Sequence, residues 1–169
     1  MHDESDSIYT ELIALLAARG ETIAAAESLT AGLFCATLAE VPGASAVLRG
    51  GAVTYATECK HQLANVPVEV LEQFGPVAPI TAQHMAYGIR RRCRADWAVS
   101  LTGVAGPTEQ DGHPVGEVWC GIASGRDKSA AECFTTNFCL APSLGRNGIR
   151  IRAVELAVRT LIDQIAGFS

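Results

Sequence analysis

The sequence is poor in aromatic residues, which make up 6% of its 169 positions, and it contains only two lysines, Lys60 and Lys128. Hydrophobic residues still account for 49% of the chain, so the core must be built mainly from alanine and aliphatic side chains. This composition excludes a disordered or collagen-like chain. We expect a single domain over residues 1–169.

The sequence also lacks an excess of positive charge and any long hydrophobic run. Its 13 lysines and arginines against 18 acidic residues give a formal net charge of −5, which argues against a broad surface for nucleic acid or an anionic membrane. No apolar run approaches the roughly 18 residues of a spanning helix, and the N-terminal residues are acidic where a secretory signal is basic and then apolar. We therefore expect a cytoplasmic protein that binds neither nucleic acid nor membrane, while a local cationic site for a small anion stays compatible with this charge.

The six cysteines form no C-x-x-C pair and have no histidine at ligand spacing, so the sequence predicts no metal site and no redox motif. Their even number is compatible with disulfides. Several of them, however, lie inside apolar runs such as LFCATLA and VWCGIAS, where cysteine is typical of a buried core. We therefore favour free core thiols.

Hydrophobic spacing and turn residues predict helices and strands that alternate along the chain. Helices are expected at residues 5–19, 31–38 and 57–64, after Pro67, at 79–93, and along a C-terminal stripe of Ile151, Val154, Val158, Leu161, Ile162 and Ile165. Strands are expected at residues 21–26, 47–55, 96–101, 115–123 and 131–138. Because the last two form a hairpin, the sequence predicts an α/β fold: a three-layer α/β/α sandwich with a mixed β-sheet.

Ser28 is the first candidate for chemistry, because it lies between the first predicted strand and the second predicted helix. At a helix N-terminus, unpaired backbone N–H groups can bind an anion or a developing oxyanion beside an attacking hydroxyl. The other interpretation is that Ser28 or Thr30 simply caps the helix, as such residues commonly do. The local sequence leaves both interpretations open.

A serine nucleophile needs a base, and Lys60 is the candidate because nothing in the sequence marks a histidine for this role. Lys60 follows a predicted strand and lies five residues after Tyr55, so a helical turn could bring both side chains to the sheet end near Ser28. Such a lysine acts as a base only if burial or neighbouring cations lower its pKa. The alternative is an ordinary solvated lysine.

Two further segments could bind an anionic part of a substrate. The glycine-rich loop 102–107 follows a strand expected to be buried, where open α/β sheets commonly bind ligands. It matches neither the P-loop nor the dinucleotide fingerprint, and it could be a plain turn. Arg146 and Arg150 share one face of the last helix near its N-terminus, where they need an anion: a buried carboxylate partner, or a phosphate or carboxylate of the substrate.

Taken in order, these segments resemble a known family. The chain contains AAESLTAG, VPGASAVLRGGAVTYATECKHQLANVP, GPVAP, VSLTGVAGP, PVGEVWCGIA and a final arginine pair, a series similar to the C-terminal domain of the CinA (competence-damage-inducible) proteins. That family includes stand-alone nicotinamide-nucleotide amidases. The similarity runs from about residue 7 to residue 166 and includes no counterpart of the larger N-terminal domain of full-length members, so we expect a stand-alone form.

The resemblance implies hydrolysis of nicotinamide mononucleotide to nicotinate mononucleotide and ammonia, without a metal or redox cofactor. It makes Ser28 the nucleophile, Lys60 the base and Tyr55 a group that orients or relays the proton. The substrate-binding residues that it implies are Thr30, Ala31, Gly32, Thr102, Gly103, Ala105, Gly106, Arg146 and Arg150. The expected partner is thus a small-molecule nucleotide, and an exposed edge strand would in addition favour a homo-oligomer.

Departures from the family pattern support a second hypothesis. Leu29 and Ala31 stand where relatives commonly have cysteine and glycine, Gly145 stands where an aspartate is common, and the loop after residue 107 is poorer in glycine. These changes leave Ser28, Tyr55 and Lys60 intact. They are nevertheless compatible with a catalytically silent nucleotide-binding or partner-binding module of the same family.

Overall fold

All five strands in the described part of the chain belong to one mixed sheet that is covered by helices on both faces. The structure, a computed structural model, describes residues 4–168. Its helices are α1 (Glu4–Arg19), α2 (Leu33–Ala39), α3 (Thr57–Ala64), α4 (Val68–Phe74), α5 (Pro79–Cys93) and α6 (Gly145–Gly167). Its strands are β1 (Ile23–Glu27), β2 (Leu48–Val53), β3 (Trp97–Gly103), β4 (Glu117–Ser124) and β5 (Phe134–Cys139).

The strand order in the sheet is β2-β1-β3-β4-β5. β1 pairs in parallel with both β2 and β3, whereas β3, β4 and β5 pair in antiparallel fashion. The mixed sheet is thereby confirmed. Its antiparallel part consists of the β4–β5 hairpin and of the β3–β4 pair, whose strands are joined by the loop 104–116.

The helices form two separate cores with the sheet between them. On one face, α1, α2 and α6 pack against alternate strand residues such as Ile23 and Val99; on the other, α3 and α5 pack against Ala24, Ala26 and Ala98. β1 is buried along its full length, as a strand covered on both faces requires. The predicted three-layer α/β/α arrangement is confirmed.

Helix α6 differs in one respect from the predicted stripe. Its buried side chains are Ile149, Ala153, Val154, Ala157, Val158, Leu161 and Ile165. Ile151 is 50% exposed, so its assignment to the stripe is wrong: it lies two residues from Ile149, which is more than half a helical turn. No helix within residues 4–168 is long and apolar enough to cross a lipid bilayer.

The cysteines are all free thiols, but they are not all core residues. Cys120 and Cys133 are buried, Cys139 is exposed and the other three are intermediate. The preference for free thiols over disulfides therefore agrees with the structure, while the expectation of a core position is correct for only two of them.

The direction of the parallel strands positions three of the predicted segments side by side. Ser28 directly follows β1, Tyr55 lies two residues beyond β2, and the loop 104–107 follows β3. Because β1, β2 and β3 run in the same direction, their carboxyl ends lie at one edge of the sheet. This edge is where open α/β sheets commonly bind ligands.

Candidate active site

A cavity of about 370 Å³ opens at the carboxyl ends of the parallel strands. Its lining includes Ser28 and Leu29 after β1, and Tyr55 and Lys60 from the β2–α3 segment. It also includes residues 102–110, which form the end of β3 and the loop beyond it, and Arg146 at the start of α6. A cavity of this size is within the range of small-molecule sites. The described residues contain no group of acidic, histidine and cysteine side chains that could hold a metal ion.

Ser28 and Lys60 meet in the wall of this cavity. Lys60 Nζ lies 3.1 Å from Ser28 Oγ and 2.9 Å from the carbonyl oxygen of Thr54. Lys60 is 1% exposed and Ser28 is 8% exposed. The alternative of a solvated lysine is therefore wrong, and the two side chains are within hydrogen-bonding distance.

Burial lowers the pKa of Lys60 to about 8. The cause is loss of hydration of the ammonium group, since the two hydrogen-bond partners are a hydroxyl and a carbonyl rather than a carboxylate. With this pKa, roughly a tenth of the amine is neutral at pH 7. In the neutral form, one N–H can still donate to Thr54 while the lone pair accepts the proton of the Ser28 hydroxyl.

The turn that carries Ser28 is not a helix N-terminus, contrary to the sequence prediction, because α2 begins five residues later. Neither Ser28 nor Thr30 caps that helix. Glu27, which is 2% exposed, accepts a hydrogen bond of 2.7 Å from the backbone N–H of Phe34 in its first turn. The N–H groups at the start of α2 are thus engaged by a carboxylate of the protein and are not the donors beside Ser28.

A free backbone donor beside Ser28 that also lines the cavity belongs to the turn itself. The Ser28 N–H donates to the carbonyl of Leu101 at 2.8 Å, and the Ala31 N–H donates to the carbonyl of Ser28 at 3.1 Å. The Leu29 N–H has no acceptor among residues 4–168, and Leu29 lines the cavity. It is therefore the candidate donor for a negative oxygen formed next to Ser28.

Arg146 joins two walls of the cavity. One of its terminal nitrogens donates to the Tyr55 hydroxyl at 2.5 Å, and the other donates to the carbonyl of Gly106. Tyr55 is 54% exposed, and it has no hydrogen bond to Ser28 or Lys60 in the described structure. Arg146 thus lies in the cavity lining as a cation that is not paired with any described carboxylate.

Arg150 binds the turn after Ser28 and does not line the cavity. Its Nε donates to the carbonyl of Leu29 and its Nη2 to that of Thr30, both at 3.0 Å. No carboxylate within residues 4–168 pairs with either arginine. The alternative of a buried carboxylate partner for the two arginines is therefore wrong, and their partners are backbone carbonyls, a phenol and the side-chain amide of Asn147.

The other predicted binding residues divide into two groups. Thr102, Gly103, Ala105 and Gly106 line the cavity, although the Thr102 hydroxyl is already engaged, at 2.6 Å, by the carbonyl of Pro76. Thr30, Ala31 and Gly32 lie outside the lining. Thr30 is fully buried and its hydroxyl has no hydrogen-bond partner among the described residues.

Sequence reasoning missed the far end of the loop after β3. Thr108, Glu109 and Gln110 line the cavity, but only residues 102–107 were predicted to contribute. The polar composition of this loop was the only indication in the sequence that it contributes to the site. Its conformation is fixed by the pairing of Gln110 with His113 and by the hydrogen bond from the Val104 N–H to the carbonyl of Glu117 in β4. Such pairing has no local signature in the sequence.

The turn after Ser28 contains two residues in the left-handed region of backbone conformation. Ala31 has a φ of 49° and Gly32 has a φ of 95°. Glycine adopts this region freely, whereas an L-residue with a Cβ pays about 1 kcal/mol. The backbone therefore accommodates Ala31 in place of the expected glycine, but in a strained conformation.

Comparisons with known proteins agree with the resemblance noted in the sequence. The family model for the CinA C-terminal domain matches residues 5–165. A putative competence-damage inducible protein of Geobacillus sp. (strain WCH70) is 40% identical over 161 residues, which is 95% of this chain and 37% of that protein. One from Limosilactobacillus fermentum is 51% identical over 117 residues, 69% of this chain and 28% of that protein. The chain thus spans about a third of the length of the curated relatives that it matches.

Solved structures show the same fold. The competence/damage inducible protein CihA from Agrobacterium tumefaciens superposes with a TM-score of 0.88 at 32% identity, covering 95% of both chains. The competence damage-inducible protein A from Klebsiella pneumoniae superposes with a TM-score of 0.90 at 28% identity, covering 98% of this chain and 99% of that one. The resemblance predicted from the ordered motifs is confirmed.

The strain at Ala31 gives a stability prediction. Ala31→Gly is expected to raise the free energy of unfolding by about 0.5–1 kcal/mol, because relief of the left-handed strain exceeds the added flexibility of the unfolded chain. Urea denaturation measures it. Ala36→Gly is the matched control: Ala36 is exposed inside α2, where glycine should instead destabilise by about 1 kcal/mol. Equal destabilisation by both changes would contradict the strain argument.

Proposed function

Since the chain belongs to the CinA C-terminal domain family, we propose that it is an amidohydrolase that converts nicotinamide mononucleotide and water to nicotinate mononucleotide and ammonia. The observation that carries the proposal is the 3.1 Å distance from Lys60 Nζ to Ser28 Oγ beside a cavity of about 370 Å³. The names of the relatives specify no substrate. The nucleotide and its carboxamide follow from the resemblance, and the pair supports a serine nucleophile with a lysine base.

In the first step, Ser28 Oγ attacks the carboxamide carbon while neutral Lys60 accepts the hydroxyl proton. The carbonyl π electrons move to the oxygen, and the resulting oxyanion accepts a hydrogen bond from the Leu29 N–H. Lys60 is now an ammonium ion next to the tetrahedral centre. Its remaining hydrogen bond to Thr54, at 2.9 Å, keeps the nitrogen in place.

The C–N bond then breaks as the oxyanion reforms the carbonyl, and Lys60 returns its proton to the departing nitrogen, which leaves as ammonia. The product of this step is an ester of Ser28. Water attacks that ester with Lys60 again accepting a proton, and the Ser28 oxygen leaves with the proton that Lys60 returns. The acid is released and both side chains are restored.

The nucleotide needs an anchor for its 5′-phosphate, and Arg146 is the residue that we assign to it. Arg146 lines the cavity and is exposed, and its described partners are a neutral phenol and a carbonyl, so its charge is available to an anion. Tyr55 fixes one end of the guanidinium. We therefore assign Tyr55 to positioning Arg146, in place of the proton relay expected from the resemblance.

Replacement of the nucleophile is the direct test of the reaction. Ser28→Ala is expected to lower ammonia release from nicotinamide mononucleotide by about 1000-fold or more, because the acyl-enzyme cannot form. Ser45→Ala, at an exposed position, should release ammonia at the wild-type rate. Ammonia release that survives in Ser28→Ala would exclude the serine mechanism. If the wild-type protein binds the nucleotide in calorimetry but releases no ammonia, the chain is instead a catalytically silent binding module.

The lowered pKa of Lys60 predicts the pH dependence. Because the neutral amine is the active form, kcat/KM should rise about tenfold per pH unit below pH 8 and level off above the pKa of about 8. Lys60→Arg should be inactive at every accessible pH, since a guanidinium does not lose its proton. Lys128→Met, which changes the other lysine, should keep the wild-type profile. A profile that is flat between pH 6 and 9 would contradict Lys60 as the base.

The role of Arg146 predicts a selective effect on phosphate-bearing substrate. Arg146→Gln is expected to raise KM for nicotinamide mononucleotide by about tenfold to a hundredfold, the range for loss of a charge-assisted hydrogen bond. The KM for nicotinamide riboside, which lacks the phosphate, should change far less. Arg152→Gln, at an exposed position on the same helix, serves as the control. Equal losses for nucleotide and nucleoside would exclude Arg146 as the phosphate anchor.

A further inference from the structure

We propose that Arg150 is a positioning residue, which holds the turn that carries the Ser28 nucleophile and the Leu29 N–H without itself contacting the substrate. This inference rests on the proposed serine mechanism. It departs from the sequence expectation, in which Arg150 was a binding residue paired with Arg146. The reason for the departure is that Arg150 does not line the cavity and that each of its three guanidinium nitrogens already has a partner in the protein.

Each of the three guanidinium nitrogens of Arg150 has a partner within the described structure. Nε and Nη2 donate to the carbonyls of Leu29 and Thr30, and Nη1 donates to Oδ1 of Asn147 at 3.1 Å. A planar fork bound at two successive carbonyls fixes the orientation of both peptide groups. The side chain therefore acts on the turn as a rigid support.

The carbonyls that Arg150 binds belong to buried residues. Leu29 is 4% exposed and Thr30 is fully buried, so loss of the guanidinium would leave buried carbonyl groups with fewer partners. Within the described residues, the backbone hydrogen bonds that also support the turn do not reach the Leu29 carbonyl, and the turn contains the strained Ala31. Without Arg150, the turn should relax to a different conformation and shift Ser28 Oγ relative to Lys60 Nζ.

Helix α6 connects this support to the opposite wall of the cavity. Arg146 lies one helical turn before Arg150 and binds Tyr55 and Gly106, while Ile149 between them is fully buried against the core. The start of α6 thus sets the spacing between the nucleophile and the loop after β3. A misplacement of reacting groups by about 1 Å can cost on the order of 100-fold in rate.

This geometry predicts a loss in kcat rather than in KM. Arg150→Lys, which keeps the charge but not the fork, and Arg150→Gln are both expected to lower kcat for ammonia release by about tenfold to a hundredfold. KM for the nucleotide should stay within about threefold, because the phosphate anchor is untouched. Added guanidinium ion at millimolar concentration should restore part of kcat in Arg150→Gln. Arg152→Gln, with its guanidinium on the exposed side of α6, should match the wild type.

A second measurement does not depend on the identity of the substrate. A fluorophosphonate reacts with an activated serine, and its rate of attachment to Ser28, followed by intact mass, should fall in both Arg150 variants by the same factor as kcat. Circular dichroism and urea denaturation show whether each variant is folded under assay conditions, and Arg150→Lys is the milder change if Arg150→Gln unfolds.

The outcomes separate the two proposals. If Ser28 of the wild-type protein is labelled but nicotinamide mononucleotide is not hydrolysed, the proposed substrate is wrong. The labelling rates of the Arg150 variants then decide the role of Arg150. Wild-type labelling rates in folded Arg150 variants would overturn the positioning role, as would a KM increase for the nucleotide that is absent for the nucleoside. Absence of labelling and of hydrolysis in the wild type would overturn both proposals together.

Discussion

The burial of Lys60 is the constraint around which the site is organised. A lysine that is 1% exposed and has a hydroxyl and a carbonyl as its partners has lost most of its hydration without gaining a counter-charge. The lowering of its pKa from 10.5 to about 8 corresponds to a cost on the order of 3 kcal/mol for keeping the ammonium form folded. The remainder of the domain must offset that cost. In return, an amine that is partly neutral at physiological pH is held next to Ser28.

Two glycines at helix–helix and helix–sheet contacts allow this burial. Lys60 lies on α3, and α3 reaches its position because α5 allows a very close approach: a Cβ at Gly88 would lie 1.6 Å from the carbonyl oxygen of Ala64. Helix α5 in turn lies close to the sheet, since a Cβ at Gly121 would be 2.4 Å from the carbonyl oxygen of Ala82. Larger residues at these contacts would move α3 outward and expose the lysine to solvent. The absence of a side chain at these two glycines thus has a structural consequence at the site itself.

The sequence predicted the elements well and their burial less well, for a physical reason. The helix at residues 57–64 and the mixed sheet follow from periodicity and turn residues, which are local. Whether Lys60 was solvated or buried depended on how α3 packs, which no local pattern encodes. The error at Ser28 has another origin. The sequence pattern predicts that the helix starts at Ala31 and Gly32, but both residues adopt a left-handed conformation. The side chain that binds the first turn of α2 is that of Glu27, which precedes Ser28.

The two arginines of α6 show how one spacing can serve two purposes. A separation of four residues places both on one side of the helix, but the helix begins beside the cavity, so Arg146 faces it and Arg150 is directed behind the Ser28 turn. Gly145, where the resemblance led us to expect an aspartate, adds to this difference. With a φ of 68° it takes a conformation that favours glycine, and it offers no carboxylate to neutralise its neighbour. Arg146 is therefore left with uncharged partners, and a protein of net charge −5 retains, in the lining of the cavity, a cation that no described carboxylate pairs.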